Sequence, residues 1–357
     1  MGAFTRGREL NGRFFRQAVA PILAARFPRL RYSAALLGAG SEVLGYDTVV
    51  SQDHDWGPRA QLFLRPVDAR KTRRGLLRAL REELPATFGG FSTRFSSPDS
   101  DGARVRSENG SPVVWIGTIP EFASSYLHLD PARRLDALDW LVLPQQKLLS
   151  LVRGPIYHDG IGLGRFRHRF RYFPRDVWLH LLAAQWSLLA EEEAFVGRAG
   201  AVKDELGARM IAARQVREMV RLAFLLERTY IPYDKWLGTA FRELPIAQRL
   251  LPPMLRALQA TVPSSRERAL SQAYEIVARR QNALRIASSL PARTSRFHSR
   301  PYRIIHAGGF AKAIRARIRD PRLKSSARVG SVDQWANSED IGSREEHLKA
   351  LRLLLKC

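Results

Sequence analysis

Residues Leu36–Arg59 read LLGAGSEVLGYDTVVSQDHDWGPR. An apolar run over residues 32–37 ends in glycines and a serine, Gly40 and Ser41, which predicts a strand that enters a tight turn. A second apolar-rich run begins at Ala60. The sequence therefore predicts two strands that are joined by a turn and a polar segment.

Two aspartates, Asp53 and Asp55, stand two residues apart just before the second apolar run. If they belong to that strand, their side chains share one face, with Cα atoms roughly 7 Å apart, and His54 faces away as a structural residue. Two such carboxylates repel each other unless a cation lies between them. Mg²⁺ is the natural cation, because it takes hard oxygen ligands and shares them with phosphates. The turn at Gly40 and Ser41 offers backbone N–H groups and a hydroxyl to a phosphate chain.

This pattern resembles the nucleotidyltransferase superfamily related to polymerase beta. The signature of that superfamily is a hydrophobic residue, then Gly-Ser, then a spacer of similar length to the one here, then Asp-x-Asp. The resemblance implies that Asp53 and Asp55 bind Mg²⁺ or Mn²⁺ and take part in catalysis. It also implies that Gly40 and Ser41 hold a triphosphate, and Arg59 at the end of the stretch is assigned to nucleotide binding as well. The implied substrate is a nucleoside triphosphate, with ATP expected.

A longer string, Gly-Ser-Glu-x-Leu-Gly-x-Asp followed by Asp-His-Asp-Trp-Gly-Pro-Arg, is similar to a bacterial family known as domain of unknown function 4037. Five further stretches resemble the same family: Pro155–Gly160, Phe195–Gly200, Asp204–Gly207, Pro232–Gly238 and Gly330–Gln334. The resemblance covers most of the chain. It implies a fold and a class of chemistry, but it names no acceptor.

One feature of the superfamily is missing from this sequence. A third carboxylate is common there on a later strand, whereas the candidate strand over residues 113–117 contains no acid. Glu108 and Glu121 flank this strand, and each is expected to be a solvated surface acid. This departure argues against a complete two-metal site.

The composition points to polyanionic partners. The chain has 357 residues, enough for two domains that each bury a core. Lysine and arginine number 58 against 34 acidic residues, which gives a formal net charge of +24 at pH 7. Such an excess suits either RNA binding or a basic enzyme whose field attracts ATP, and the sequence leaves both open.

Targeting signals are not apparent in the sequence. No apolar run is long enough to span a membrane, and residues 1–6 lack the apolar core of a signal peptide. Cysteine occurs once, at Cys357, so no internal disulfide can form. These features predict a cytoplasmic protein with no membrane partner.

The expected fold class is α+β, with a small N-terminal nucleotidyltransferase-type mixed sheet and its helices, followed by a larger and mainly α-helical domain. The predicted boundaries are 1–135 for the first domain, 136–290 for the helical domain and 291–357 for a basic extension that packs on the helical domain. The extension mixes basic residues with isoleucines and a phenylalanine over residues 300–324, which predicts one buried side.

The helical domain offers two further candidate site residues. Glu193 ends a predicted helix and is assigned as a catalytic residue, although acid runs of this kind are usually solvated. Lys235 lies between aromatic residues and is assigned to phosphate binding, with simple exposure at a helix start as the alternative. Residues 157–159, Tyr-His-Asp, are predicted to form a loop. A Ser/His/Asp hydrolase is disfavoured because the chain contains no Gly-x-Ser-x-Gly motif.

Two functions from different classes remain open. The first is a Mg²⁺-dependent nucleotidyltransferase that moves a nucleoside monophosphate, expected to be AMP, to an unidentified small molecule, protein or RNA and releases pyrophosphate. The second is a catalytically inactive protein of nucleotidyltransferase fold that binds or regulates through a basic nucleic-acid-binding surface. The intact Asp-x-Asp favours the enzyme, and the missing third acid favours the binding protein.

Overall fold

The computed structural model describes residues 4–97, 105, 107, 110–130, 132–325, 330–336, 341 and 344–355. Glu108 and Cys357 lie outside the described residues. Across this part of the chain, no helix combines the length and the apolar character that crossing a membrane requires.

The first half of the chain contains short helical elements and the main strands. Its helical elements are α1 (Gly7–Phe14), a π-helical segment (Phe15–Val19), α2 (Ala20–Arg26), α3 (Ser41–Leu44), a 3₁₀ turn (Val49–Gln52), α4 (Pro66–Glu83), α5 (Ile119–Leu127), α6 (Ala137–Val142), α7 (Gln145–Arg153) and α8 (Leu163–His168). Its main strands are β1 (Tyr32–Ala35), β2 (Ala60–Leu64), β3 (Val114–Thr118) and β4 (Ile156–Asp159).

The second half is mainly helical. Its elements are α9 (Arg175–Glu192), α10 (Phe195–Ala201), α11 (Glu205–Leu226), a 3₁₀ turn (Asp234–Trp236), α12 (Leu237–Phe241), α13 (Ala247–Gln259), α14 (Pro263–Ala283), α15 (Ala307–Arg315), α16 (Pro321–Ser325), α17 (Val332–Trp335) and α18 (Glu345–Leu354). Short strand pairs join Thr87–Phe88 to Phe91–Ser92, Arg94–Phe95 to Ser111–Pro112, and Ser295–Arg296 to Arg303–Ile304.

The main sheet, as far as the structure describes it, has four strands in the order β3-β2-β1-β4. Strands β1 and β2 are antiparallel, with Ala35 opposite Gln61, and β1 and β4 are also antiparallel. Strands β2 and β3 are parallel, with Ala60 opposite Val114. A small mixed sheet accompanied by many helices confirms the α+β fold class.

The chain divides into two compact units, residues 1–134 with 147–171, and residues 135–146 with 172–357. This division differs from the predicted boundary, because residues 147–171 belong to the first unit rather than to the helical domain. The cause is strand β4, which pairs with β1. The prediction of a loop at residues 157–159 is therefore wrong.

The carboxylate of Asp159 fixes the end of strand β4. Its oxygens accept the hydroxyl of Ser33 at 2.7 Å and the backbone N–H groups of Gly162, Leu163 and Gly164 at 2.8–2.9 Å. Burial opposes ionisation, but these hydrogen bonds outweigh it and hold the pKa of Asp159 below its ordinary value. The carboxylate thus ties the edge strand to β1 and to the start of α8.

The core of the first unit lies between the sheet and the N-terminal helices. Phe14, Phe15 and Val19 pack there with Leu62 from β2 and Leu76 from α4. A π-helical segment separates α1 from α2, and α2 has a proline in its first turn. A proline is tolerated in that position because the first N–H groups of a helix have no intrahelical partner.

The second unit is built around α9, whose apolar residues are buried on all sides. Phe310 of α15 stacks on Trp186 of α9 with ring centroids 4.5 Å apart. Five apolar residues of the basic extension are buried: Ile304, Ile305, Phe310, Ile314 and Ile318. This segment therefore has one buried side and leaves its basic side chains on the other.

Candidate functional site

The Gly40–Ser41 turn follows strand β1 in a conformation that only glycine adopts readily. Gly40 has φ +131° and ψ 137°, and Ser41 begins the short helix α3. A Cβ at position 40 would collide with the Nη2 atom of Arg59 and come within 2.7 Å of both carboxylate oxygens of Glu42. Glycine is thus required here by backbone conformation and by close packing together.

An ion pair between Arg59 and Glu42 lies directly against this turn. The same Nη2 atom of Arg59 donates to the carbonyl oxygen of Ala39 at 2.7 Å, and the backbone N–H of Arg59 donates to Asn11 at 2.5 Å. Glu42 is 2% exposed, so its charge needs a partner inside the protein. Arg59 therefore holds the turn through Glu42, and its assignment to nucleotide binding stays a prediction.

The sheet register brings the turn and the aspartate segment to one edge. Because β1 and β2 are antiparallel, Ala35 at the end of β1 lies opposite Gln61, the second residue of β2. The side chain of Gln61 accepts the N–H of Leu37 at 2.7 Å and donates to the Leu37 carbonyl at 2.9 Å. The Gly40–Ser41 turn and the segment before Ala60 therefore leave the sheet at the same edge.

Asp53 and Asp55 do not lie on a strand, which corrects the expectation of two side chains sharing one strand face. Asp53 has the helical angles φ −68° and ψ −41°, and Asp55 has φ +50°. Strand β2 begins only at Ala60 because Pro58 has no N–H to donate, and the left-handed φ of +151° at Gly57 bends the chain. The two aspartates therefore occupy a loop in front of the strand.

His54 does not face away from the aspartates, as strand alternation had predicted. Its Nδ1 atom lies 3.0 Å from the Oδ1 atom of Asp53, and its backbone N–H donates to the same oxygen at 3.0 Å. The Asp53 side chain is 61% exposed, whereas Asp55 is half-buried. A cation that binds Asp53 would compete with His54 for this oxygen.

The donor set of this loop suits a metal that arrives with its substrate. Among the described residues, no group of three or more His, Cys, Asp or Glu side chains is arranged to hold a metal ion. Asp53 and Asp55 offer two carboxylates, and Mg²⁺ is commonly bound through one or two carboxylates plus substrate phosphates. The residues present fit Mg²⁺ or Mn²⁺ bound to a triphosphate better than a cage made by the protein alone.

Two acids inside the quoted string were given no role by the sequence, Glu42 and Asp47. Asp47 is 2% exposed, and its Oδ2 atom accepts the N–H of Gly7 at 2.6 Å and the indole N–H of Trp56 at 3.1 Å. Its Oδ1 atom is buried without a hydrogen-bond partner among the described residues. The sequence carries one indication that these acids are buried. Glu42 stands next to Val43 and Asp47 next to Tyr46, in a segment between two strands.

The structure assigns a structural role to one of the acids that flank β3. Glu121 accepts the backbone N–H of Thr118 at 2.8 Å and so caps helix α5, while it also pairs with Arg73. Strand β3 itself contains no acid. The carboxylate of Glu121 is thus engaged in capping α5 and in the ion pair with Arg73.

Glu193 is buried in the second unit, so the expectation that its acid run is a solvated face is wrong at this position. The residue is 8% exposed, and its two oxygens accept the N–H groups of Ile305 at 2.9 Å and Ala307 at 3.1 Å. Burial raises the pKa of Glu193 to about 7, although these hydrogen bonds favour the ionised form. Its assignment as a catalytic residue stays a prediction.

Lys235 lies in the 3₁₀ turn Asp234–Trp236 of the second unit and is exposed. Its Nζ atom stands 5.2 Å from the ring centroid of the adjacent Trp236. This is the alternative that the sequence left open, an exposed lysine at the start of a helix. Phosphate binding by Lys235 stays a prediction.

Gly40→Ala tests whether close packing adds to backbone strain at the turn. The substitution should lower the free energy of unfolding by about 3 kcal/mol, because it imposes strain and also displaces the Arg59–Glu42 pair. Gly90→Ala is the reference for a positive φ without a packing contact, since Gly90 has φ +83° and no atom within 4 Å of a Cβ, whereas the extended ψ of 137° at Gly40 adds backbone strain of its own. The control should cost about 1 kcal/mol, the cost of a left-handed residue alone. Urea unfolding measures both, and equal losses would contradict the packing argument.

Glu193→Gln tests the buried carboxyl. Between its ordinary pKa of 4.5 and the folded value of about 7, the folded state keeps a proton that the unfolded state has lost. Relative to Glu193→Gln, the free energy of unfolding of the wild type should therefore fall as the pH rises through this window, by about 3 kcal/mol in all, and the difference should stay level above it. Asp333 and His180 also titrate with shifted pKa values, but they do so alike in both proteins and cancel in the difference. The exposed Glu191→Gln should show the dependence of the wild type. A slope that persists unchanged in Glu193→Gln would refute the assignment.

Comparison with known proteins gives a family match over part of the chain and a distant similarity to solved structures. A solved structure described as a nucleotidyltransferase-like protein from Exiguobacterium sibiricum 255-15 is similar to this chain at 11% identity and a TM-score of 0.34, covering 94% of this chain and 89% of the other. No curated protein matches the chain. The model of the domain of unknown function family DUF4037 matches residues 140–237. The match confirms the resemblance over residues 140–237, which contain the stretches Pro155–Gly160, Phe195–Gly200 and Asp204–Gly207. The string that holds Gly40, Ser41, Asp53 and Asp55 lies outside the match, as does Gly330–Gln334, and their resemblance to the family stays a prediction.

Proposed function

We propose that the chain is a Mg²⁺-dependent nucleotidyltransferase that moves a nucleoside monophosphate, expected to be AMP, from its triphosphate to an acceptor and releases pyrophosphate. One observation carries this proposal. The Gly40–Ser41 turn and the segment bearing Asp53 and Asp55 leave the same sheet edge, and Arg59 bonds to the carbonyl oxygen of Ala39 across it. A phosphate-binding turn next to two carboxylates is the arrangement that metal-assisted phosphoryl chemistry needs.

The turn is suited to hold phosphate oxygens. Ser41 is half-exposed, so its hydroxyl can donate to a ligand, and the glycine before it brings the backbone close to that ligand without a side chain. The buried Arg59–Glu42 pair keeps the turn in place before any ligand arrives. Such preorganisation reduces the cost of ordering the site when substrate binds.

In the proposed reaction, an acceptor oxygen forms a bond to the α-phosphorus, and the bond from that phosphorus to the bridging oxygen of the β-phosphate breaks. The acceptor proton is released, and pyrophosphate leaves with the bonding electron pair. Bound Mg²⁺ supplies Lewis-acid stabilisation of the phosphate charge. Asp53 and Asp55 would provide anionic oxygens for that ion, and Asp53 would have to release its contact with His54 to do so.

A second candidate function is a binding protein that uses its basic surface. The observations that favour it are the absence of an acid from β3 and the occupied Oδ1 of Asp53. Most basic side chains of the extension are exposed: Arg300, Arg303, Lys312, Arg317, Arg319, Arg322 and Lys324. A cavity of about 800 Å³ beside α15 is lined by Lys312, Arg315 and Lys324. RNA is the polyanion that this surface would bind.

Asp53→Asn and Asp55→Asn test the enzyme. Each should reduce Mg²⁺-dependent turnover of nucleoside triphosphate by about two orders of magnitude or more, because each removes an anionic ligand. The melting temperature of Asp53→Asn should stay unchanged, since Asp53 is exposed. Asparagine tolerates the positive φ of Asp55, and the melting temperature of Asp55→Asn, measured alongside, controls for folding. Pyrophosphate release with each triphosphate, in the presence of cell extract as a source of acceptor, gives the measurement.

The control for these variants is Asp68→Asn, which breaks only the ion pair between Asp68 and Arg65 at 2.6 Å. It should keep full turnover. Wild-type turnover in both Asp53→Asn and Asp55→Asn would show that these aspartates are not the metal ligands.

Charge reversal tests the second candidate. Lys312→Glu, Arg317→Glu and Lys324→Glu change exposed residues, whereas Arg315 is half-buried and is left intact. If the surface binds single-stranded RNA, the triple variant should bind RNA more weakly, whatever the nucleotide sequence of the RNA. The slope of log affinity against log salt should flatten by about 2, at about 0.7 per phosphate contact. The melting temperature controls for folding, and unchanged RNA affinity would remove this candidate.

A further inference from the structure

A cavity of about 270 Å³ lies within the second unit, between helices α10 and α14. Its walls are mainly apolar, with Gly200 and Val196 on α10 and with Pro263 and Leu270 on α14. Tyr302 closes one side, with its ring packed against the backbone of Gly197. A preformed, mostly apolar cavity with a few polar groups is the usual form of a small-molecule site.

The cationic side chains at this cavity are directed to other partners. Both Nη atoms of Arg266 bind the carboxylate of Glu205, and one of them also donates to the carbonyl oxygen of Ala260 at 2.8 Å. Arg303 directs its Nε and Nη2 atoms to Thr294, at 3.2 Å and 2.5 Å. The hydrogen-bonding capacity of the two guanidinium groups is thus largely used outside the cavity.

The two carboxylates at the cavity keep unused acceptor capacity. A carboxylate has about four lone-pair sites for hydrogen bonds. Glu193 accepts the backbone N–H groups of Ile305 and Ala307, and the N–H of His306 also contributes, whereas Glu267 accepts one N–H, from Arg303 at 2.8 Å. Both carboxylates line the cavity, so its walls offer several free acceptor sites for hydrogen-bond donors. Among the described residues, the Nε atom of Arg266 is a lining donor left without a partner.

We propose that this cavity binds a small molecule with a mainly apolar body and a protonated amine, which Glu193 and Glu267 receive. The proposal concerns the second unit alone and does not depend on the nucleotidyltransferase reaction. Burial raises the pKa of Glu193 to about 7, and an ammonium group that pairs with it compensates the charge that burial disfavours.

The test compares three probes of similar size by titration calorimetry, at a pH above the pKa of Glu193. Phenethylamine carries the ammonium group, 2-phenylethanol carries a neutral hydroxyl, and phenylacetate carries an anion. We expect phenethylamine to bind at least tenfold more tightly than 2-phenylethanol. Equal binding of the two would reduce the cavity to an apolar pocket and overturn the proposal. Tighter binding of phenylacetate would also overturn it, and would point to Arg266, whose Nε atom is buried without a partner among the described residues.

Four variants connect the binding to this cavity. Gly200→Leu should abolish binding by filling the cavity, while Gly200→Ala should retain it, because a Cβ there meets only Pro263 at an ordinary 3.8 Å. Glu267→Gln should lower the preference for the amine several-fold and keeps the acceptor oxygen that the Arg303 N–H needs. Glu193→Gln should lower the preference further, with its melting temperature measured alongside. Unchanged amine binding in Gly200→Leu would place the probe elsewhere and refute the site.

Discussion

The ion pair between Arg59 and Glu42 is the interaction on which the first unit's candidate site depends. Glu42 is almost fully buried, so its carboxylate is tolerated only because the guanidinium group of Arg59 reaches it. Arg59 directly precedes β2, and Glu42 lies in α3, which follows β1. The ion pair therefore links the segment that leaves β1 to the segment that enters β2. Gly40 lies against the pair with no room for a side chain. The position of the turn is thus fixed by buried charge as well as by backbone pairing.

Local sequence predicted the features that depend on local chemistry. The glycines that follow the apolar run over residues 32–37 predicted a strand and a turn, and the apolar residues within the basic extension predicted its buried side. Features that depend on distant pairing were missed. Strand β4 has glycine and proline before it and a glycine after it, which favours a loop, and only its pairing with β1 across more than a hundred residues makes it a strand. The two aspartates lie in a loop rather than on the strand because Pro58, which has no N–H to donate, delays the start of β2 to Ala60.

Burial decides the chemistry of the acids in this very basic protein. Glu193, expected on a solvated face, instead accepts two backbone N–H groups in the helical unit. Asp333 accepts the N–H of Gln145 at 3.0 Å, and burial raises its pKa to about 6. The nearby Gln334 donates to Gln185 and to the carbonyl of Leu181, both at 2.9 Å. Buried polar networks of this kind specify how the helices of the second unit pack.

The central claim is that one sheet edge holds a metal–nucleotide complex between the Gly40–Ser41 turn and the aspartate loop. Paramagnetic relaxation by Mn²⁺, added with a non-hydrolysable ATP analogue, tests this directly, since Mn²⁺ broadens the amide signals of nearby residues. The account predicts selective broadening at Gly40, Ser41 and residues 53–55 that requires the nucleotide and disappears in Asp53→Asn. Broadening confined to other residues, or equal broadening with and without nucleotide, would contradict it.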